Sequence, residues 1–427
     1  MRVAFLLNDA GLYGANLSLS NMIKSYGFKD CLVLSPSEGP FLSLLKEMGV
    51  SYKVVPFKFN MATYNKNFLS FILYPVRFCY YWILNKYSYP LILKIIEENG
   101  IDVIHSNNSW ISIGFEIAKQ KRIKHVWHLR EMSDLHFYMR SFKPFEKLCE
   151  DFNNSDSVIC VSEAVKRHFH IRNKNAVVLY DAVDSIRNIQ DVHYEKENYF
   201  LYCGGLSENK GVLDAISSFS KVSRNRNIRL YIAGTGSAHF VKKMKSLIEK
   251  EGIEGKVVLL GYRTDAKELM RKAVALLMCS WHEAYGRVTV EAMMNDCVVI
   301  GRNSGGTSEL IEHEETGFLF DSNSELEALM EKVLDMDTTI IRDKAREKAI
   351  HSFTEEVYGE QLKNMAYTGR HSYFLCFLQF VFRRSPARLA VKKYAHAKRE
   401  EDFFTSNQPE GPPCGTGLKN NYFCRKK

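Results

Sequence analysis

The chain has 427 residues, 46% hydrophobic and 25% charged, with a formal net charge of +9. That length is too great for one ordinary core and suits two α/β domains plus an extension. No run approaches the ~20 uninterrupted apolar residues that span a bilayer, and no Cys-x-x-Cys pair points to zinc.

Met1-Arg-Val-Ala-Phe-Leu-Leu passes at once to Asn8-Asp9, which reads as a first strand and not a leader peptide. Short apolar runs at Val3–Leu7, Asp30–Leu34, Tyr52–Val55, Val103–His105, Lys124–His128 and Ser157–Val161 predict strands. Helix-like stretches Ala15–Tyr26, Pro40–Met48, Leu91–Asn99 and Ile111–Gln120 lie between them. Such alternation predicts a parallel sheet covered on both faces. After the linker Asp181-Ala-Val-Asp-Ser-Ile-Arg-Asn the pattern repeats. Strands are expected at Tyr199–Cys203, Arg229–Ala233, Val257–Leu260, Ala273–Met278, Val298–Gly301 and Gly317–Phe320, with helices Val212–Val222, Ala238–Gly252, Ala266–Lys272 and Ser324–Asp335. Two doubly wound Rossmann-like domains facing a cleft is the simplest arrangement: residues 1–185, then 190–352. A last helix is expected over 353–369, opening at Thr354 with acids in its first turn. Residues 370–427 form a basic aromatic extension whose end has a disordered composition. The extension holds twelve Lys or Arg against four acids, so the rest of the chain is nearly neutral.

Within the second half, the run Trp281-His-Glu-Ala-Tyr-Gly-Arg-Val-Thr-Val-Glu291 lies between two apolar strands. Eight helical residues would turn Glu291 about 80° from Glu283. Glu283 therefore belongs in a loop and Glu291 inside a helix whose N-cap is Gly286. Free N–H groups near Gly286 and Arg287, helped by the helix dipole, suit a pyrophosphate. A glutamate further in suits ribose hydroxyls. The plain alternative is an acid that merely stabilises a helix start. Gly204-Gly205 leads to Lys210-Gly211, where a lysine at a strand-to-helix loop can meet phosphate as a point charge, or simply be an exposed loop lysine. Ser304-Gly305-Gly-Thr-Ser-Glu309 and Gly234-Thr-Gly236 are turns that let backbone approach a ligand, or ordinary turns. In the first half Gly11-Leu-Tyr13-Gly14 is a fourth glycine loop. His105 and His128 end strands where clefts form, although a lone His is more often structural. Arg130 and Glu131 follow His128.

The Glu-x7-Glu run, Ser304–Glu309 and Gly204–Gly211 together resemble the family 4 retaining glycosyltransferases of the GT-B fold, over roughly residues 1–368. The resemblance implies donor contacts from Gly204, Gly205, Lys210, Gly234, Glu283, Tyr285, Gly286, Arg287, Val288, Glu291, Ser304 and Gly305. It puts Glu283 on the donor sugar, Glu291 on the ribose and Lys210 on the diphosphate, with His105 and His128 as further catalytic candidates. Gly11, Tyr13, Gly14 and Arg130 would border the acceptor and diphosphate. The family usually carries Arg where this chain has Gly205; Arg287 is a possible substitute. No metal and no cofactor is expected beyond the nucleoside diphosphate sugar, and the last helix should cross back to the first domain. The acceptor would be lipid-linked or an oligosaccharide, in cell-surface polysaccharide synthesis. The alternatives are a GT-B sugar-nucleotide epimerase and a non-catalytic glycan-binding subunit.

Residues 65–91 interleave Phe68, Phe71, Tyr74, Phe78, Tyr80, Tyr81, Trp82, Tyr87 and Tyr89 with Lys66, Arg77 and Lys86. A neutral body argues against nucleic acid. An amphipathic surface on lipid head groups fits better, as does a greasy acceptor groove, with an internally packed helical pair as the ordinary reading. Arg383 to Arg399 adds a second cationic element for peripheral membrane contact. Cys160, Cys203, Cys279 and Cys297 in apolar runs suit free thiols in a cytoplasmic setting, at the inner face of the plasma membrane.

Overall fold

The computed structural model describes residues 1–27, 30–64, 68–136 and 139–365. The basic extension 370–427, the end of the expected last helix and Lys66 lie outside the described residues.

Seven parallel strands form the first sheet, in the order Ser51–Val54, Cys31–Ser35, Val3–Leu6, Val103–Ser106, Lys124–Leu129, Ser157–Cys160 and Ala176–Val178. Six form the second: Val257–Gly261, Arg229–Ala233, Tyr199–Cys203, Ala275–Met278, Val298–Arg302 and Phe318–Phe320. The central strands are buried on both faces, as in Val3–Leu6, Ser157–Cys160 and Ala275–Met278, and so read as unbroken apolar runs. Helices cover both sheets, giving two Rossmann-like halves within one compact unit.

In each sheet the chain reverses its winding at the first strand. Val3–Leu6 pairs with Cys31–Ser35 on one side and Val103–Ser106 on the other. Tyr199–Cys203 pairs likewise with Arg229–Ala233 and Ala275–Met278. Loops leaving the carboxyl ends of such strands open a crevice. They are the Gly11–Gly14 loop and the Gly204–Gly211 loop.

The halves are joined twice. An apolar cluster runs from Trp127 and Phe169 through Tyr285 and Phe353 to Leu276 and Val290. The chain also returns: Val183 N–H donates to Phe353 O at 3.0 Å and Glu355 N–H to Asp184 O at 3.0 Å. Helix Glu355–Met365 then packs on helix Gly14–Tyr26 of the first half. Gly359 permits the approach, since a Cβ there would lie 2.8 Å from Ser25 O.

Several features differ from the sequence expectation, among them a seventh strand in the first sheet, Ala176–Val178, and helix Phe145–Asn154. Helix Leu91–Asn99 is the end of a longer helix, Tyr74–Glu98, which runs through Pro90. Burial of Ser88, Ile92 and Ile96 on both sides of the proline holds it together against the lost hydrogen bond. An antiparallel pair, Met61–Thr63 with Met139–Ser141, lies outside the main sheets. Helix Thr339–Phe353 lies outside the expected elements; its Arg342 donates to buried Asp296, and Arg346 forms an ion pair with the same carboxylate at 3.6 Å.

Candidate functional site

Strand Ala275–Met278 ends in a loop that carries Glu283, and Gly286 caps the helix that follows, Arg287–Met294. Gly286 takes φ 97° and ψ 46°, a left-handed conformation that glycine adopts without strain. Glu291 thus sits inside the helix and Glu283 before it. The Ser304–Gly306 turn clasps this loop from behind. Gly306 N–H donates to Glu283 O at 2.6 Å, and the Ser304 hydroxyl donates to Trp281 O. Gly305 has φ 56°, and a Cβ there would lie 2.2 Å from Glu283 O. Ser304 and Gly305 therefore fix the backbone of Glu283.

Lys210 ends the short turn Glu208–Lys210, and Gly211 follows at φ 66°. A Cβ at Gly211 would lie 2.0 Å from Cys279 O, so the two loops touch backbone to backbone. That contact delivers Lys210 Nζ to 2.7 Å from Glu283 Oε2. Gly234 packs on Gly204 in the same way, its absent Cβ 1.8 Å from Gly204 O. Gly205 differs: a Cβ there meets nothing within 4 Å.

Tyr13, Arg130, Lys210, Glu283, Tyr285 and Gly286 line one cavity of about 290 Å³ between the halves, with Gly14 and Arg287 also on its wall. Arg130 is held rigidly. Its Nη1 donates to both Asp181 oxygens at 2.5 Å and its Nε to Asn107 Oδ1 at 2.8 Å. Tyr285 Oη donates to Asp181 O at 2.7 Å. Asp181, read from sequence as a linker residue, is therefore the counter-ion of the cleft arginine. A buried arginine requires such a partner, which was the available clue.

The remaining candidates stand elsewhere. Gly11, Gly204, Gly205, Gly234, Val288, Glu291, Ser304 and Gly305 do not contribute to the cavity wall. His105 and His128 are fully buried, with ring centroids 5.4 Å apart. Neither reaches the cavity, because Arg130 lies in front: its Nη2 is 3.2 Å from His128 Nδ1. Burial, and then the Arg130 charge, hold both imidazoles far below their usual range and hence neutral. Arg287, the candidate substitute for a cation at position 205, is engaged with other partners. Its guanidinium donates to Glu291 Oε1 at 3.0 Å, Ala182 O at 3.1 Å and Val183 O at 2.7 Å. Burial raises the Glu291 carboxyl pKa against the opposing pull of Arg287.

One interlobe contact was not foreseen. Glu309, on the short helix Thr307–Leu310, accepts from Glu163 N at 2.9 Å, Ala164 N at 2.6 Å and Tyr180 Oη at 2.8 Å. The assembled cleft offers an ammonium, a guanidinium and a helix N-terminus to an anion. One carboxylate stands beside them for hydroxyl groups. Among the described residues no three His, Cys, Asp or Glu side chains converge as a metal site.

Residues 42–187 match Glycosyltransferase Family 4, and residues 184–352 match Glycosyl transferases group 1. An uncharacterized glycosyltransferase of Methanocaldococcus jannaschii is 28% identical over 58% of this chain and 69% of its own length. The N-acetyl-alpha-D-glucosaminyl L-malate synthase of Bacillus anthracis is 26% identical over half of this chain, which spans 60% of that protein. Among solved structures, Anabaena HepE in complex with UDP-glucose superposes with a TM-score of 0.69 at 23% identity, covering 85% of this chain and 98% of that one. TarM superposes at 0.66 and 15% identity, covering 85% and 98%.

Proposed function

The chain belongs to the family 4 glycosyltransferases of the GT-B fold, and from that premise we propose that it moves a sugar, with retention of configuration, from a nucleoside diphosphate donor to a lipid-linked or glycan acceptor. The setting is cell-surface polysaccharide or glycolipid synthesis, with peripheral contact at the inner face of the plasma membrane. Relatives support the setting: one is a diphospho-undecaprenol N-acetylgalactosaminyltransferase of Campylobacter jejuni, another a poly(ribitol-phosphate) N-acetylglucosaminyltransferase of Staphylococcus aureus.

The observation that carries the reading is the Lys210–Glu283 pair at the N-terminus of helix Arg287–Met294, facing Tyr13 and Gly14 across the cleft. A diphosphate entering there exchanges the Glu283 carboxylate for its own oxygens on Lys210. It also accepts hydrogen bonds from the amides at Gly286 and Arg287, in place of a divalent ion. Glu283, released, takes sugar hydroxyls. Glu291 lies one helical turn or so inward, where the ribose hydroxyls would stand.

In the transfer step the acceptor hydroxyl attacks the anomeric carbon on the face the diphosphate leaves. The carbon–oxygen bond to phosphate breaks as the new glycosidic bond forms, and a leaving phosphate oxygen takes the hydroxyl proton. Neutral, buried His105 and His128 have no part in that proton transfer. Exclusion of water by closure of the halves protects the donor from hydrolysis.

The test is a thermal-shift panel of nucleotide sugars, beginning with UDP-sugars, followed by diphosphate release with and without EDTA. Turnover that survives EDTA is expected; strict dependence on magnesium overturns the metal-free reading. The open space at Gly205 favours one rival, a non-catalytic binding subunit, which would bind donor and release nothing.

A further inference from the structure

Helix Tyr74–Glu98 has two apolar faces, and the described residues of the first half cover only one of them. At ~100° per residue, Phe78, Tyr81, Asn85 and Tyr89 share a side. With Asn60 and Phe142 they line a groove of about 690 Å³. Ser88, Ile92 and Ile96 are buried beside them. Val76, Tyr80, Ile83, Tyr87 and Leu91 fall within an arc of about 80° on the opposite side. All five are exposed, from 38% to 63% of their surface. At ~1.5 Å per residue this stripe is about 22 Å long. The preceding helix, Phe68–Ile72, continues it with Phe68, Leu69, Phe71 and Ile72 exposed. A soluble surface does not ordinarily carry a continuous apolar strip of this length.

The charge along this segment is basic up to the last turn of the helix, where Glu97 and Glu98 pair with Lys121 and Lys94. Residues 48–96 contain six Lys or Arg and no Asp or Glu, in a chain that holds 49 acids. Two of those cations stand over aromatic rings of the helix, Lys86 Nζ 4.8 Å from the Trp82 centroid and Lys58 Nζ 5.9 Å from that of Tyr80. Apolar stems with aromatic rings and ammonium groups at one level match the interface of a bilayer, where rings sit among head groups and cations meet lipid phosphate. Among the described residues no helix is long and apolar enough to cross a membrane, so this one lies along it.

We propose that the Val76–Leu91 stripe, with helix Phe68–Ile72, is a docking face for an anionic lipid bilayer. It deepens the function proposed above, because a lipid-linked acceptor is met only at the membrane, but its test requires no turnover. Full-length protein is floated with phosphatidylcholine vesicles, with and without phosphatidylglycerol, alongside the variant Ile83→Asp/Tyr87→Asp. Both positions are exposed and distant from the cleft residues, so the fold and donor turnover are retained. Strong binding to the anionic vesicles is expected. A loss of about tenfold or more is expected in the variant, from the apolar surface withdrawn. Binding that the variant does not weaken assigns attachment to another segment and overturns the proposal, as does absence of binding. Light scattering that shows a dimer broken by the variant, without vesicle binding, assigns the face to a second copy of the chain and also overturns it. Diphosphate release measured on the same samples reports on the transferase reading separately, so failure of one is not mistaken for failure of the other.

Discussion

Lys210 Nζ and Glu283 Oε2 stand 2.7 Å apart, a side-chain contact between two loops that also hydrogen-bond through their backbones, Trp281 N–H to Asn209 O at 3.0 Å. Both side chains retain some solvent exposure, so the pair adds little to stability, on the order of 0–1 kcal/mol. Its worth lies in poise, since each partner is held where a ligand group can replace the other. Lys210→Ala and Glu283→Ala should therefore lower donor turnover by about 100-fold or more while leaving the melting temperature nearly unchanged. Steady-state diphosphate release beside thermal denaturation separates the two effects. Full activity in both variants ends the site assignment.

Three buried imidazoles, His105, His125 and His128, predict an acid limb in stability. Burial is the leading cause in each, and it takes His125 down to about 3. The folded values lie below the unfolded 6.5, so as pH falls through 6.5 the unfolded chain gains protons that the fold refuses. Stability is present above 6.5 and is lost below it. The contribution of each histidine steepens as pH falls below 6.5, toward a limit of about 1.4 kcal/mol per pH unit. Urea unfolding between pH 6.5 and 5 measures it, and His125→Asn should make the profile shallower. A flat profile contradicts the burial.

Much of this architecture was legible because parallel strands buried on both faces are short apolar runs with little else to be; Tyr199–Cys203 and Arg229–Ala233 fall where the pattern places them. The relation of Glu283 to Gly286 and Glu291 was also local, set by one glycine between a strand and a helix. What was hidden depends on contacts distant in the chain. Pro90 reads as a helix boundary unless the burial of Ser88 and Ile92 on either side is known. Met61–Thr63 has no pairing signal without Met139–Ser141 beside it. A strand-end histidine resembles a cleft residue until Arg130 is seen in front of it. Asp181 resembles a linker until that same arginine claims it.

Glu309 predicts how the halves are latched. Its carboxylate accepts the first amides of helix Glu163–His168 in the other half, and the Tyr180 hydroxyl with them. Ser162 strengthens the join by donating to Ala284 O at 2.5 Å. Glu309 follows directly on the turn that clasps Glu283, so the latch and the site move together. Glu309→Ala leaves those amides and the hydroxyl without their acceptor, at a cost of about 1–3 kcal/mol. A larger radius of gyration in X-ray scattering and weaker donor binding should accompany the lost stability. An unchanged radius together with unchanged donor affinity would show that the apolar cluster alone sets closure.

Gly205 predicts a gain. The related family carries arginine here, and the local geometry accepts one: a Cβ at 205 meets nothing within 4 Å and the backbone is not left-handed. Its neighbours do not share this freedom, since Gly204 sits at φ 152° and Gly234 is packed against it. Position 205 also lies close to the cation already in place. The Tyr202 hydroxyl is 3.1 Å from Gly205 O and 3.2 Å from Lys210 O, so the two backbones border one buried phenol. Gly205→Arg should fold with a melting temperature within a degree or two of the parent, as for other open positions. A second positive charge beside Lys210 should stabilise the departing diphosphate and raise turnover at saturating donor by about tenfold or more. If the parent binds donor without turning it over and the arginine variant releases diphosphate, the empty place at 205 is the reason the parent is silent. If the variant folds and turnover does not rise, the leaving group is neutralised elsewhere in the cleft, and Arg130 is the next cation to replace.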